Sequence, residues 1–129
     1  LYDADALTVL SSVGGLDIAG MAGACIGCAV NSVPVVLDGA ISLAAALMAE
    51  RLVPGVRQYL IASHKSREAS AGLLAKALGL EPVIDADMAL GEGTGALMLF
   101  PLIDTALSLY NNGLTFDEIG MEGYKRFGR

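Results

Sequence analysis

Leu90-Gly91-Glu92-Gly93-Thr94-Gly95-Ala96 sets three glycines on alternate positions ahead of an uninterrupted helix-forming run, Leu97 to Leu109. The pattern predicts a loop whose backbone approaches something closely and then feeds a helix N-terminus. Glycine there admits φ > 0 and removes the Cβ that would keep a phosphate away. The first free N–H groups of the helix, together with its dipole, favour negative charge at the same spot. Glu92 is the odd residue. A carboxylate among phosphate-cradling amides is wrong for binding alone, so it points to chemistry such as accepting a proton from a neutral heterocycle. The same residues also fit a tight strand-to-helix turn with a solvated glutamate.

The segments before this loop alternate. Pro34-Val35-Val36-Leu37-Asp38-Gly39 has the form of a buried parallel strand ending on an acid and a glycine. In open α/β sheets the carboxyl ends of strands face the ligand crevice, which makes Asp38 a site candidate; an aspartate there equally suits the cap of the following helix. That helix, Gly39 to Leu52, is apolar nearly all round, as expected of a helix covered on most of its surface. A second strand spans Gln58 to Ser63 and ends at the polar cluster Ser63-His64-Lys65-Ser66. This cluster can contact phosphate or sugar oxygens, while Ser66 also suits the N-cap of a helix from Arg67 to Leu78. No partner for His64 is legible. Gly79 fits the C-terminal stop of that helix, and Glu81 to Asp85 reads as a third strand leading through Leu90 to the glycine loop.

Ahead of the first strand, Asp3 to Ser11 reads as a short helix and Leu16 to Val30 as a buried one. In the latter Gly20, Gly23 and Gly27 admit a neighbouring backbone, and Asp17 complements the dipole in the first turn. Positions 18 to 37 carry no charge, but Asn31-Ser32-Val33-Pro34 divides them into helix, turn and strand, not a membrane span. Strand and helix alternation implies an α/β fold, a Rossmann-like parallel sheet with right-handed crossovers, helices on both faces and a single ligand crevice. Three strands leave bare faces beside such apolar helices, so further strands are expected from residues preceding Leu1. The chain also begins Leu1-Tyr2-Asp3 and not with Met, as expected of a fragment or processed product.

Composition narrows the function classes. A net charge of −6, with eight Lys and Arg forming no stripe, argues against nucleic acid. No signal or transit sequence is visible, and the expected location is cytoplasmic. Cys25 and Cys28 form a lone C-x-x-C in a chain with one His, too few ligands for a structural zinc, so both read as small apolar residues and no metal is expected. Gly91-x-Gly93-x-x-Ala96 fits the dinucleotide form G-x-G-x-x-A, yet the strand and acidic residue about 20 positions on that the fingerprint demands do not follow. Nor is a Gly-Lys-Ser/Thr P-loop present.

Four blocks carry a resemblance: Val13 to Gly23, Pro34 to Gly39, Ala62 to Ser66, and Leu90 to Ala96. In this order, over nearly the whole chain, they resemble the C-terminal part of the nicotinate-nucleotide–dimethylbenzimidazole phosphoribosyltransferases. The resemblance implies phosphoribosyl transfer from nicotinate mononucleotide to 5,6-dimethylbenzimidazole. The products are α-ribazole 5′-phosphate and nicotinate, in the synthesis of the lower ligand of cobalamin, by a homodimer without a cofactor. By the same resemblance Glu92 is the general base, Gly91, Gly93 and Ser66 lie near the nucleotide with Asp38 beside them, and Leu90 lines the base pocket. Residues 1–113 then belong to the C-terminal part of the nucleotide-binding catalytic domain, and the tail, 114–129, contributes to a small helical domain. The family's upstream acidic residue and phosphate-contacting lysine are expected before Leu1. The alternative to an enzyme is a nucleotide-binding or structural fragment without catalysis.

Overall fold

The computed structural model describes residues 4–123, which fall into two compact units divided between Leu99 and Phe100. The first holds helix α1 (Ala6–Val13), helix α2 (Leu16–Val30), strand β1 (Val35–Leu37), helix α3 (Ala40–Leu52), a 3-10 turn (Val56–Tyr59), strands β2 (Leu60–Ala62) and β3 (His64–Ser66), helix α4 (Ala69–Leu78), strand β4 (Ile84–Met88) and the start of helix α5 (Thr94–Asn112).

All strand pairing among the described residues is parallel. β1 pairs with β2, Val35 opposite Leu60 and Leu37 opposite Ala62, and β3 pairs with β4. Ser63 joins the two ladders: its N–H donates to Leu37 O at 3.0 Å and its carbonyl accepts from Ile84 N–H at 3.0 Å. The middle strand is therefore one extended segment that changes partner at Ser63, which is fully buried. The second strand runs on through Ser66 where Ser63 was the expected end. It also starts later than expected, because the Glu50 carboxylate accepts the N–H groups of Gly55 and Arg57 and winds residues 56–59 into a 3-10 turn. The third strand lies three residues beyond the expected 81–85. Its ladder begins where Ile84 meets His64, and it carries two extra residues before Met88 meets Ser66. Asp87, at φ 51, absorbs this bulge.

α3 packs between α2 and α4 and against β1. The contact surfaces are made of alanine, with Ala45, Ala46 and Ala49 of α3 and Ala71 and Ala75 of α4 all buried, so the backbones approach closely around Leu37, Leu43, Leu60 and Leu78. α2 departs from the expectation of burial. It buries only Ala22 and Cys25, while Gly20, Gly23 and Gly27 are exposed with no atom near where a Cβ would stand. α4 begins at Ala69, later than expected, because Arg67 N–H is held in the sheet by Met88 O at 3.2 Å. Ser66 consequently does not cap the helix; its hydroxyl accepts from Glu68 N–H.

In the second unit α5 continues past Pro101 to Asn112, and a turn follows in which Glu118 accepts from both the N–H and the hydroxyl of Thr115. The residues of the tail from 124 on lie outside the described residues. No helix among the described residues is long and apolar enough to cross a membrane.

Candidate active site

The glycine loop adopts a run of left-handed residues: Gly91, Glu92 and Gly93 have φ of 75, 58 and 78°. For the glycines this conformation is free, whereas for Glu92 it costs about 1–2 kcal/mol. Gly95 answers a different need, since a Cβ there would overlap the imidazole of His64. The third glycine leaves room for this ring beside the first turn of α5.

Asp38 ties the loop down. Its Oδ2 accepts from Gly93 N–H and its Oδ1 from Ala96 N–H, both at 3.1 Å. The aspartate at the end of β1 thus caps a helix more than fifty residues away, and the adjacent α3 is started instead by Gly39 N–H donating to Ser42 Oγ. Two amides read in the sequence as an anion cradle are consequently already taken by a carboxylate of the chain.

His64, only 6% exposed, has its Nδ1 3.0 Å from Ser63 Oγ, and Ser63 Oγ in turn lies 3.3 Å from the Asp38 carbonyl oxygen. Residue type alone shows no partner for this histidine; the adjacent Ser63 and the third glycine of the loop are the signals in the sequence that point to one.

These elements border a cleft of about 380 Å³. Its walls are Met21 from α2, residues 38–42 from the β1–α3 junction, His64 and Ser66 from β3, Glu68, and Ala89, Gly91 and Glu92 from the loop. Of the residues expected at a site, Asp38, Ser66, Gly91 and Glu92 are brought together on it. Gly93 faces Asp38 through its amide, and Leu90, 76% exposed, is not part of the wall. The lining contains the carboxylates of Asp38, Glu68 and Glu92 and no Lys or Arg. Glu92 has no hydrogen-bond or ion-pair partner among the described residues. No cluster of three or more His, Cys, Asp or Glu suited to a metal occurs among the described residues.

Residues 2–121 match a family model described as phosphoribosyltransferase. The chain belongs to this family. It is similar to the nicotinate-nucleotide–dimethylbenzimidazole phosphoribosyltransferase of Desulforamulus reducens, 50% identical over 117 residues that make up 91% of this chain and 33% of that one. The enzyme of the same name from Clostridioides difficile is 47% identical over 91% of this chain and 34% of its own length. Among solved structures, that of the Thermus thermophilus enzyme superposes with a TM-score of 0.85 at 39% identity, covering 95% of this chain and 37% of that chain. The chain spans about a third of the length of the curated relatives it matches. The α/β fold with parallel strands is shared with that structure, in keeping with a C-terminal part of a larger domain.

Proposed function

We propose that this chain supplies the catalytic base and part of the nucleotide site of a phosphoribosyltransferase that converts nicotinate mononucleotide and 5,6-dimethylbenzimidazole into α-ribazole 5′-phosphate and nicotinate. The observation that carries the proposal is Glu92: a carboxylate without a partner among the described residues, held in a strained left-handed conformation at the cleft, on a loop that Asp38 pins from another strand. Strain retained at a cleft points to use.

In the reaction one benzimidazole nitrogen attacks C1′ of the ribose, the C1′–N bond to the pyridinium ring breaks, and its electron pair leaves with nicotinate. The new nucleotide would be cationic unless the distal N–H proton is lost, and Glu92 accepts it. Its charge also stabilises the developing cation. Ser66, Gly91 and Gly93 lie near the nucleotide in this reading, Asp38 orders the loop beside it, and Leu90 contacts the base. A cleft wall of three carboxylates without a cation calls for a positive group from outside these residues to hold the phosphate. In the same proposal residues 1–113 belong to the nucleotide-binding catalytic domain, 114–129 to a small helical domain, and the enzyme works as a cytoplasmic homodimer.

The test is Glu92→Gln in the full-length polypeptide, assayed by nicotinate release with both substrates. Glutamine keeps the shape but accepts no proton, so turnover is expected to fall about 10²–10⁴-fold with nucleotide binding nearly unchanged. Retention of more than about a tenth of the wild-type rate would remove Glu92 from the role of base.

A further inference from the structure

His64 is more than nine-tenths buried, yet among the described residues only one of its ring nitrogens is engaged. Nδ1 meets Ser63 Oγ at 3.0 Å, and the same hydroxyl lies 3.3 Å from the Asp38 carbonyl, a group that can only accept. Ser63 has one proton. Both contacts are satisfied at once only if Ser63 O–H donates to the carbonyl and Nδ1–H donates to Ser63 Oγ. Neutral His64 then carries its proton on Nδ1, leaving Nε2 as a lone-pair acceptor. No buried side-chain nitrogen or oxygen among the described residues lacks a partner, and Nε2 makes no hydrogen bond, so it keeps access to the cleft that His64 lines. The ring cannot readily turn away, because Gly95 is packed against it.

A neutral acceptor in a cleft whose charged groups are Asp38, Glu68 and Glu92 suits a neutral donor and disfavours a phosphate oxygen. We infer that His64 is a substrate-binding residue whose Nε2 accepts a hydrogen bond from a ribose hydroxyl of a nucleotide in the cleft, with Ser63 as the positioning residue that holds its tautomer. The inference rests on the proposed function for the identity of the nucleotide and assigns it a contact of its own.

The experiment measures binding of nicotinate mononucleotide and its 2′-deoxy and 3′-deoxy forms to the full-length polypeptide and to His64→Phe by calorimetry. One deoxy form is expected to bind the wild type roughly three- to tenfold more weakly, as loss of a single hydrogen bond requires, and to bind His64→Phe as well as the parent nucleotide does. Equal losses by all three ligands on His64→Phe overturn the inference while leaving the proposed function standing. A wild type that binds none of them overturns both. Because His64→Phe can impair folding, histidine-selective ¹⁵N spectra of the unmutated protein give a second readout, with the His64 signal identified by its absence in His64→Gln. A proton on Nδ1 in the free protein and a shift of Nε2 on nucleotide addition are expected, and a proton on Nε2 in the free neutral ring overturns the assignment.

Discussion

Asp38 combines two duties that its position in the sequence shows as alternatives: it lines the cleft and it caps a helix. Asp38→Asn leaves one of the two amides, Gly93 N–H or Ala96 N–H, facing an amide donor in place of an acceptor. The expected cost is about 1–3 kcal/mol in denaturant unfolding, with faster amide exchange confined to residues 91–97. The two glycines beside it fail for different reasons when given a side chain. At Gly93 a Cβ meets open space, but φ is 78°, so Gly93→Ala costs about 1 kcal/mol through the backbone alone. At Gly95 the obstacle is the His64 ring, and Gly95→Ala is expected to cost about 1–3 kcal/mol through overpacking. A double-mutant cycle separates the two cases. Removing the ring with His64→Ala should relieve most of the Gly95→Ala penalty and none of the Gly93→Ala penalty.

Surface caps act within one element, and surface ion pairs act between neighbouring ones. Asp5 starts α1, its carboxylate accepting from the Thr8 hydroxyl at 2.7 Å and from Thr8 N–H at 3.0 Å. The hydroxyl, and after it the amide, hold the Asp5 carboxyl below the ordinary aspartate range. A depressed folded pKa contributes stability that is present above the unfolded pKa and is lost as pH falls through the folded one. Amide exchange in the first turn of α1, corrected for intrinsic rates, should therefore show protection that disappears on acidification through that window, and Asp5→Ala should abolish the pH dependence. The pairs Lys65–Asp85 at 3.1 Å, between β3 and β4, and Arg67–Asp87 at 3.3 Å, from the residue just past β3 to β4, are largely exposed. Lys65→Ala is expected to change stability by less than about 1 kcal/mol, since solvent screens such a pair. The turn Thr115-Phe116-Asp117-Glu118 closes a capping box of the T-x-x-E kind, a signature readable in the sequence at that spacing.

Across the molecule the balance of covered and uncovered apolar surface is uneven. The core is alanine-rich, whereas Leu16, Val30, Leu90, Leu97, Leu109 and Tyr110 are each more than 60% exposed. Surface of this kind drives association. A polypeptide of residues 1–129 is expected to sediment as oligomers at micromolar concentration and to release no nicotinate; a monodisperse monomer with measurable turnover would contradict both expectations.

Alternation of strand and helix, the C-terminal stop at Gly79, the glycine loop feeding α5 and the candidacy of Asp38, Ser66, Gly91 and Glu92 are all legible in residue order. Each rests on a local rule: period, turn chemistry, or the tolerance of glycine for φ > 0. Folding determined what those rules cannot reach. Whether Asp38 caps its neighbour or a distant helix depends on which amides β1 meets across the sheet, and nothing within five residues of it encodes the answer. The same holds for Ser63, which is an end in the sequence and a junction in the sheet because Leu37 and Ile84 bond it from opposite sides. The partner of His64 and the need for glycine at 95 are one fact, a ring lying on a helix turn 31 positions further along the chain, and only long-range packing creates it.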